Sequence, residues 1–149
     1  HEITLDEHRA WWARVNVSPK FALFIYERAG TPLGFVAFSE IAPEPATATW
    51  AFYSSPDAPR GTGSTMEFLA LDIAFGTLAL RKLNCEVIGR NDRVIRLHES
   101  FGFQREGLFR DHVLIGGTLD DVIRLALFSP DWAALRSAKL QSLTERLSQ

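Results

Sequence analysis

Residues 60–65 read Arg60-Gly61-Thr62-Gly63-Ser64-Thr65, joining a strand-like run, Thr47-Ala48-Thr49-Trp50-Ala51-Phe52-Tyr53-Ser54, to a long apolar helix. Two glycines one residue apart let the backbone turn with its N–H groups exposed. A helix opening there adds unpaired N–H donors and the positive end of its dipole, so the turn can cradle an anion, with Arg60 supplying a full charge. A Gly-x-Gly turn before a helix is also an ordinary strand-to-helix connection, so the flanking elements have to decide.

The chain has 149 residues, 46% hydrophobic and 11% aromatic, enough for a real core in a single domain, residues 1–149. No run approaches the roughly 20 apolar residues of a membrane span, and no basic-then-apolar leader is present, so the expectation is a soluble cytoplasmic protein. A formal charge of −2 and a pI near 6.1 argue against a nucleic-acid binder and for a small-molecule partner. One cysteine, Cys85, excludes an internal disulfide and a Cys-cluster metal site. It lies in an apolar strand pattern and reads as a small core residue; no metal is expected. The chain opens on His1 and enters a helix almost at once, from which we expect the true N-terminus to be missing.

Thr4-Leu5-Asp6-Glu7 has the form of a capping box and predicts a helix from Leu5 to Asn16, with Trp11, Trp12 and Val15 on its apolar face. Residues 21–28 and 33–41 predict a hairpin closed at Gly30-Thr31-Pro32, and residues 47–54 a third strand. Residues 64–80 are apolar on most sides, with Glu67 and Asp72 the charged exceptions, and predict a largely buried helix. Residues 83–89 predict a strand whose Leu83, Cys85 and Val87 share a face. Asn91 caps a helix to about Phe101, stopped by Gly102; a hairpin turns at Gly116-Gly117; and Ser129-Pro130 opens a final helix with Ser129 as cap. Antiparallel hairpins around a strand-helix-strand unit predict an α/β fold with a mixed, mostly antiparallel sheet flanked by helices. The third glycine of a dinucleotide fold and the lysine of a P-loop are both lacking.

With that order in place, the chain resembles the GNAT acetyltransferases. The matching residues are Arg60-Gly61-Thr62-Gly63, the run Asn91 to Phe103 (N-D-R-V-I-R-L-H-E-S-F-G-F), and the closing hairpin with Ser129-Pro130-Asp131-Trp132. The resemblance implies acetyl-CoA as donor and a primary amine as acceptor. Within the family the chain looks most like the PseH-type enzymes, on Glu7, His8 and Trp11, Trp50 to Pro56, Cys85 to Val87 with Asn91, and Leu119 to Leu125. That implies a UDP-linked 4-amino-4,6-dideoxy sugar as acceptor. RimJ/RimL-like protein N-terminal or small-amine acetyltransferases, and a non-catalytic acyl-CoA-binding module, are the alternatives. Neither nucleic acid nor membrane is an implied partner, and pairing of two copies through the last strand is left open.

What the resemblance implies for the site can be named residue by residue. Arg60, Gly61, Thr62, Gly63 and Ser64 hold the CoA pyrophosphate, Asn91 bonds the pantetheine arm, and Arg93 or Arg96 reaches the 3′-phosphate. Backbone N–H groups at Phe52, Tyr53 and Ser54 face the thioester oxygen. The family's usual Gln or Arg two residues before the basic position is Ala58, and its first strand and first helix are lacking. His98 stands where the family carries a tyrosine that protonates the leaving thiolate, either taking over that role or filling the space as a core-edge residue. Glu40 is the candidate base, with Tyr53 and His112 behind it.

Overall fold

A computed structural model describes residues 3–148 of the chain. Helix α1 (Leu5–Val15) starts as the capping box requires: the Thr4 hydroxyl accepts from Glu7 N–H at 3.2 Å, and Glu7 Oε2 accepts from Thr4 N–H at 2.7 Å. Strands β1 (Ala22–Arg28) and β2 (Thr31–Ala42) turn at Ala29-Gly30, both at positive φ, so Thr31 and Pro32 already belong to β2 rather than to the turn. Strand β3 (Thr47–Ser54) leads through the glycine loop to helix α2 (Thr62–Asp72). The helix expected to continue to Leu80 instead loosens into a π-helical turn over Ile73–Thr77 that contains Gly76.

Strand β4 (Lys82–Ile88), helix α3 (Asp92–Ser100) and the hairpin β5 (Gln104–Ile115) and β6 (Thr118–Phe128) follow, with Gly116 and Gly117 both at positive φ. Helix α4 (Ser129–Leu147) is capped by Phe128, not Ser129, because Ser129 and Pro130 are already in the first turn. The helix carries no side-chain cap bond at that end.

The six strands form one sheet in the order β1-β2-β3-β4-β6-β5, mixed and mostly antiparallel as expected. Its one parallel contact, β3 with β4, holds only at Thr47–Lys82, Ala48–Leu83 and Thr49–Asn84. Beyond that point both strands continue unpaired with one another, and the sheet opens into a wedge. One face of the sheet carries the core. Phe38, Trp50, Leu83, Leu125 and Leu127, each at most 2% exposed, pack against Met66 and Leu71 of α2, Ile95 of α3 and Trp132 of α4. Burial of each such large side chain contributes about 1.5–3 kcal/mol. Asp72 clamps α4 to α2, accepting two bonds from Arg136 at 2.7 Å and one from Trp132 Nε1 at 3.2 Å. None of the described helices is long and apolar enough to cross a membrane.

Gly34 of β2 sets how closely α2 can approach. A β-carbon there would stand 2.5 Å from Met66 Sδ and 3.0 Å from the Tyr53 carbonyl. Gly34→Val is expected to lower the unfolding midpoint in urea, at a cost of about 1–3 kcal/mol from overpacking; an unchanged midpoint would show that α2 can slide away freely.

Candidate active site

The loop before α2 uses its two glycines differently. Gly61 is the helix N-cap at φ 92, a left-handed conformation that a side chain resists, whereas Gly63 already lies in the first turn of α2, where a β-carbon would make only ordinary contacts. The expectation that both glycines serve the turn is therefore corrected: only Gly61 does. Thr62 is also turned inward, its hydroxyl donating to the Pro59 carbonyl at 2.7 Å, so it offers no side-chain donor to an anion. Its N–H donates to the same carbonyl at 3.1 Å, and Thr65 N–H donates to the Gly61 carbonyl at 3.1 Å. Among the described residues, the N–H groups of Arg60, Gly61, Gly63 and Ser64 have no partner.

These donors border a cavity of about 180 Å³ lined by Tyr26, Arg28, Pro59, Arg60, Gly61, Thr62 and Thr65. Arg28 and Arg60 are both exposed and, among the described residues, neither meets a carboxylate. Arg28 was not legible as a site residue in the sequence, because only the pairing of β1 with β2 brings it to the loop. It supplies a second cation where Ala58 does not. The cradle thus has the donors, the charge and the room that a diphosphate needs.

The register of β3 decides which of its amides face the wedge. Ser55 N–H donates to the Leu33 carbonyl at 2.8 Å, and bonded pairs alternate along an antiparallel ladder. Tyr53 and Ala51 are then bonded to β2, while the N–H groups of Phe52 and Ser54 point into the wedge. Tyr53 drops out of the expected oxyanion donors; its side chain is 68% exposed and lies against Phe35 on the other face of the sheet.

Behind the wedge, His98 of α3 is boxed by aromatic rings, with centroids at 5.4 Å to Trp50, 5.8 Å to Phe52 and 5.3 Å to Phe103. Its Nδ1 lies 2.8 Å from Glu67 Oε1, and the two side chains are 4% and 0% exposed. Burial, outweighing the hydrogen bond and charge of His98 and the charge of Lys139, pushes the Glu67 carboxyl above its ordinary range. Glu67 Oε2 has no partner among the described residues. His98 Nε2 has none either, yet it is not sealed from solvent. Glu67 is the residue that sequence reasoning missed; a glutamate in an apolar helix was a signal, but its partner 31 positions away was not.

Other expected residues lie apart from this centre. Glu40 sits at φ 52 in a bulge of β2 and accepts from the Thr49 hydroxyl at 2.8 Å. Thr49 and Trp50 are neighbours on a strand, so Glu40 is held on the face opposite His98, about 10 Å along β3 from Phe52 at 3.3 Å per residue. Asn91 uses its Oδ1 to cap α3, accepting from Val94 N–H at 3.4 Å, which leaves only its amide N–H groups for a ligand. Arg93 and Arg96 are exposed on α3. His8 is exposed and stacked on Trp11, and His112 is exposed beside Phe109. Cys85 is 2% exposed and burial pushes its thiol well above the ordinary range, so it holds no thiolate.

The free N–H groups of the loop, the two arginines beside it and the free amides of the wedge are compatible with an acyl-CoA-dependent transferase. Residues 1–104 match the family model described as an acetyltransferase (GNAT) domain, and the chain belongs to that family of N-acetyltransferases. A spermidine N(1)-acetyltransferase of Escherichia coli K12 is 28% identical over 127 residues, 85% of this chain and 68% of the relative. The probable N-acetyltransferase YjcK of Bacillus subtilis is 36% identical over 81 residues, 53% of this chain and 45% of the relative. The solved spermidine/spermine N-acetyltransferase SpeG of Vibrio cholerae superposes with a TM-score of 0.82 at 25% identity, covering 88% of this chain and 78% of that one. These relatives are named for a polyamine or for no particular acceptor, so the PseH-type resemblance and its nucleotide sugar find no support in them.

Two stability measurements test this geometry. Gly61→Ala should destabilise the free protein by about 1–2 kcal/mol through strain at positive φ, whereas Gly63→Ala should leave it unchanged or more stable by up to about 1 kcal/mol. A carboxyl whose folded pKa is raised contributes stability that is complete below its ordinary value of 4.5 and is lost as pH rises through the raised value. The wild-type thermal midpoint should accordingly fall relative to Glu67→Gln as pH is raised from 4.5 toward neutral, and a constant difference would contradict the shift.

Proposed function

We propose that this chain, acting as one domain, acetylates a primary amine of a polyamine such as spermidine. The observation that carries the acceptor is that the relatives matching most of the chain, by sequence and by structure, are spermidine acetyltransferases. The family's donor, acetyl-CoA, supplies an activated acetyl group as a thioester. Arg60, with Arg28 beside it, and the free N–H groups from Arg60 to Ser64 would hold its pyrophosphate. The Asn91 amide N–H would bond the pantetheine arm, and Arg93 would neutralise the 3′-phosphate.

The amides of Phe52 and Ser54 would bond the oxygen that becomes negative as the amine attacks. Attack requires an uncharged nitrogen, so a polyamine has to lose a proton before reacting. His98 Nε2 would donate to the departing sulfur. Cys85 takes no part, and direct transfer needs no acyl-enzyme.

Thiol release from acetyl-CoA with spermidine, spermine, putrescine, short peptides and a UDP-4-amino sugar decides the acceptor. Spermidine is expected to lead the panel in kcat/KM; a peptide or the nucleotide sugar in first place would overturn the proposal. Arg60→Ala should raise KM for acetyl-CoA about tenfold, as loss of a charged hydrogen bond of about 1.5 kcal/mol implies. The increase should grow as salt is lowered.

A further inference from the structure

We propose that Glu67 is the positioning residue that keeps a proton on His98 Nε2, so that the histidine always presents a donor toward the wedge. The inference rests on the acetyl-transfer reading given above. The hydrogen bond of 2.8 Å between Glu67 Oε1 and His98 Nδ1 leaves two arrangements for a pair that is neutral overall. With the charge separated, both ring nitrogens carry protons and Nδ1–H donates to the carboxylate. With the charge cancelled, the carboxylic acid donates to Nδ1, and the neutral ring carries its proton on Nε2. Nε2–H is present in both. Only a pair with a net negative charge leaves Nε2 bare, and burying a net charge among Trp50, Phe52 and Phe103 is what the surroundings oppose most.

The ionisable groups facing the pair come from two further elements. Lys139 of α4 places its charge toward Glu67 from over the Phe101 ring, 4.9 Å from its centroid, and Cys85 of β4 is a neutral thiol. His98 itself comes from α3. Lys139 favours the charge-separated arrangement without removing the Nε2 proton. Neither neighbour adds a second carboxylate that could hold the proton elsewhere.

In the transfer, the amine nitrogen forms a bond to the acetyl carbon and the carbon–sulfur bond breaks, its electron pair going to sulfur. The Nε2 proton goes to that sulfur to give the CoA thiol. The ring is left with Nδ1–H bonded to the Glu67 carboxylate; in the charge-cancelled arrangement, the carboxyl proton crosses to Nδ1 as Nε2–H leaves. The proton released by the attacking nitrogen restores the pair through water.

The test reads the ring nitrogens directly in the free, uniformly ¹⁵N-labelled protein from about pH 6 to 8, the span in which an ordinary histidine loses its charge. The His98 signal is assigned by its loss in His98→Tyr. Nε2 is expected to stay protonated across that range in the wild type. A bare wild-type Nε2 overturns the proposal whether or not the variant folds. In kinetics, Glu67→Gln should lower kcat about 10- to 100-fold with KM for acetyl-CoA unchanged, within the range of general acid catalysis. In the His98→Tyr background, whose phenol carries its own proton, Glu67→Gln should cost little. An equal loss in both backgrounds would mean that Glu67 only supports the fold. A protein that acetylates no amine would refute the activity reading while the nitrogen spectra still judge the pair.

Discussion

Everything at this site depends on where β3 and β4 stop pairing. Their parallel ladder ends at Thr49–Asn84, where the buried Asn84 side chain adds a further bond to the Ala48 carbonyl at 3.2 Å. Up to that rung the two strands are one sheet. Past it, the amides of β3 that point away from β2 have no strand to meet, and the amide of half-buried Phe52 is costly to leave without a partner. The fold therefore holds unsatisfied donors over an aromatic floor, next to a helix start with more of the same. A ligand that supplies both acceptors and a chain to thread between the strands relieves that cost.

The floor itself is unusual chemistry for a core. Trp50, Phe52 and Phe103 surround an ionisable pair rather than an aliphatic side chain, and Glu67 carries an oxygen with no partner among the described residues. Well-packed apolar residues in place of such a pair are often as stable or more so, so stability is a poor reason for keeping it. A proton needed at a fixed point, at the edge of a water-poor pocket, is a better one. The surrounding rings that make the charge expensive are also what keeps the proton where it is.

Much of the fold was legible along the chain because its signals are local. The capping box at Thr4 and Glu7, the paired glycines at 116 and 117, and the alternation of Leu83, Cys85 and Val87 each occupy a few neighbouring residues. The glycine loop was legible as a cradle for the same reason. Its internal division of labour was not, since which glycine adopts positive φ depends on where α2 begins. Glu40 and His98 were both candidates in the sequence, yet alternation along β3 puts them on opposite faces of the sheet. Tyr53 and Phe52, adjacent in the chain, were separated by a ladder phase that only the Ser55–Leu33 bond reveals. The acceptor was read from short matches, and such matches report shared scaffold more than shared substrate.

The sequence alone determined the order of the elements, the mixed sheet and the candidate glycine loop, because periodicity and turn chemistry act over a few residues. Tertiary structure alone decided three things: that Arg28 joins Arg60, that Phe52 and Ser54 present the free amides, and that Glu67 of one helix finds His98 of another 31 residues on. Each needs two segments distant in the chain to meet at a hydrogen-bonding distance. No local pattern encodes that meeting; packing the core on one face of the sheet enforces it.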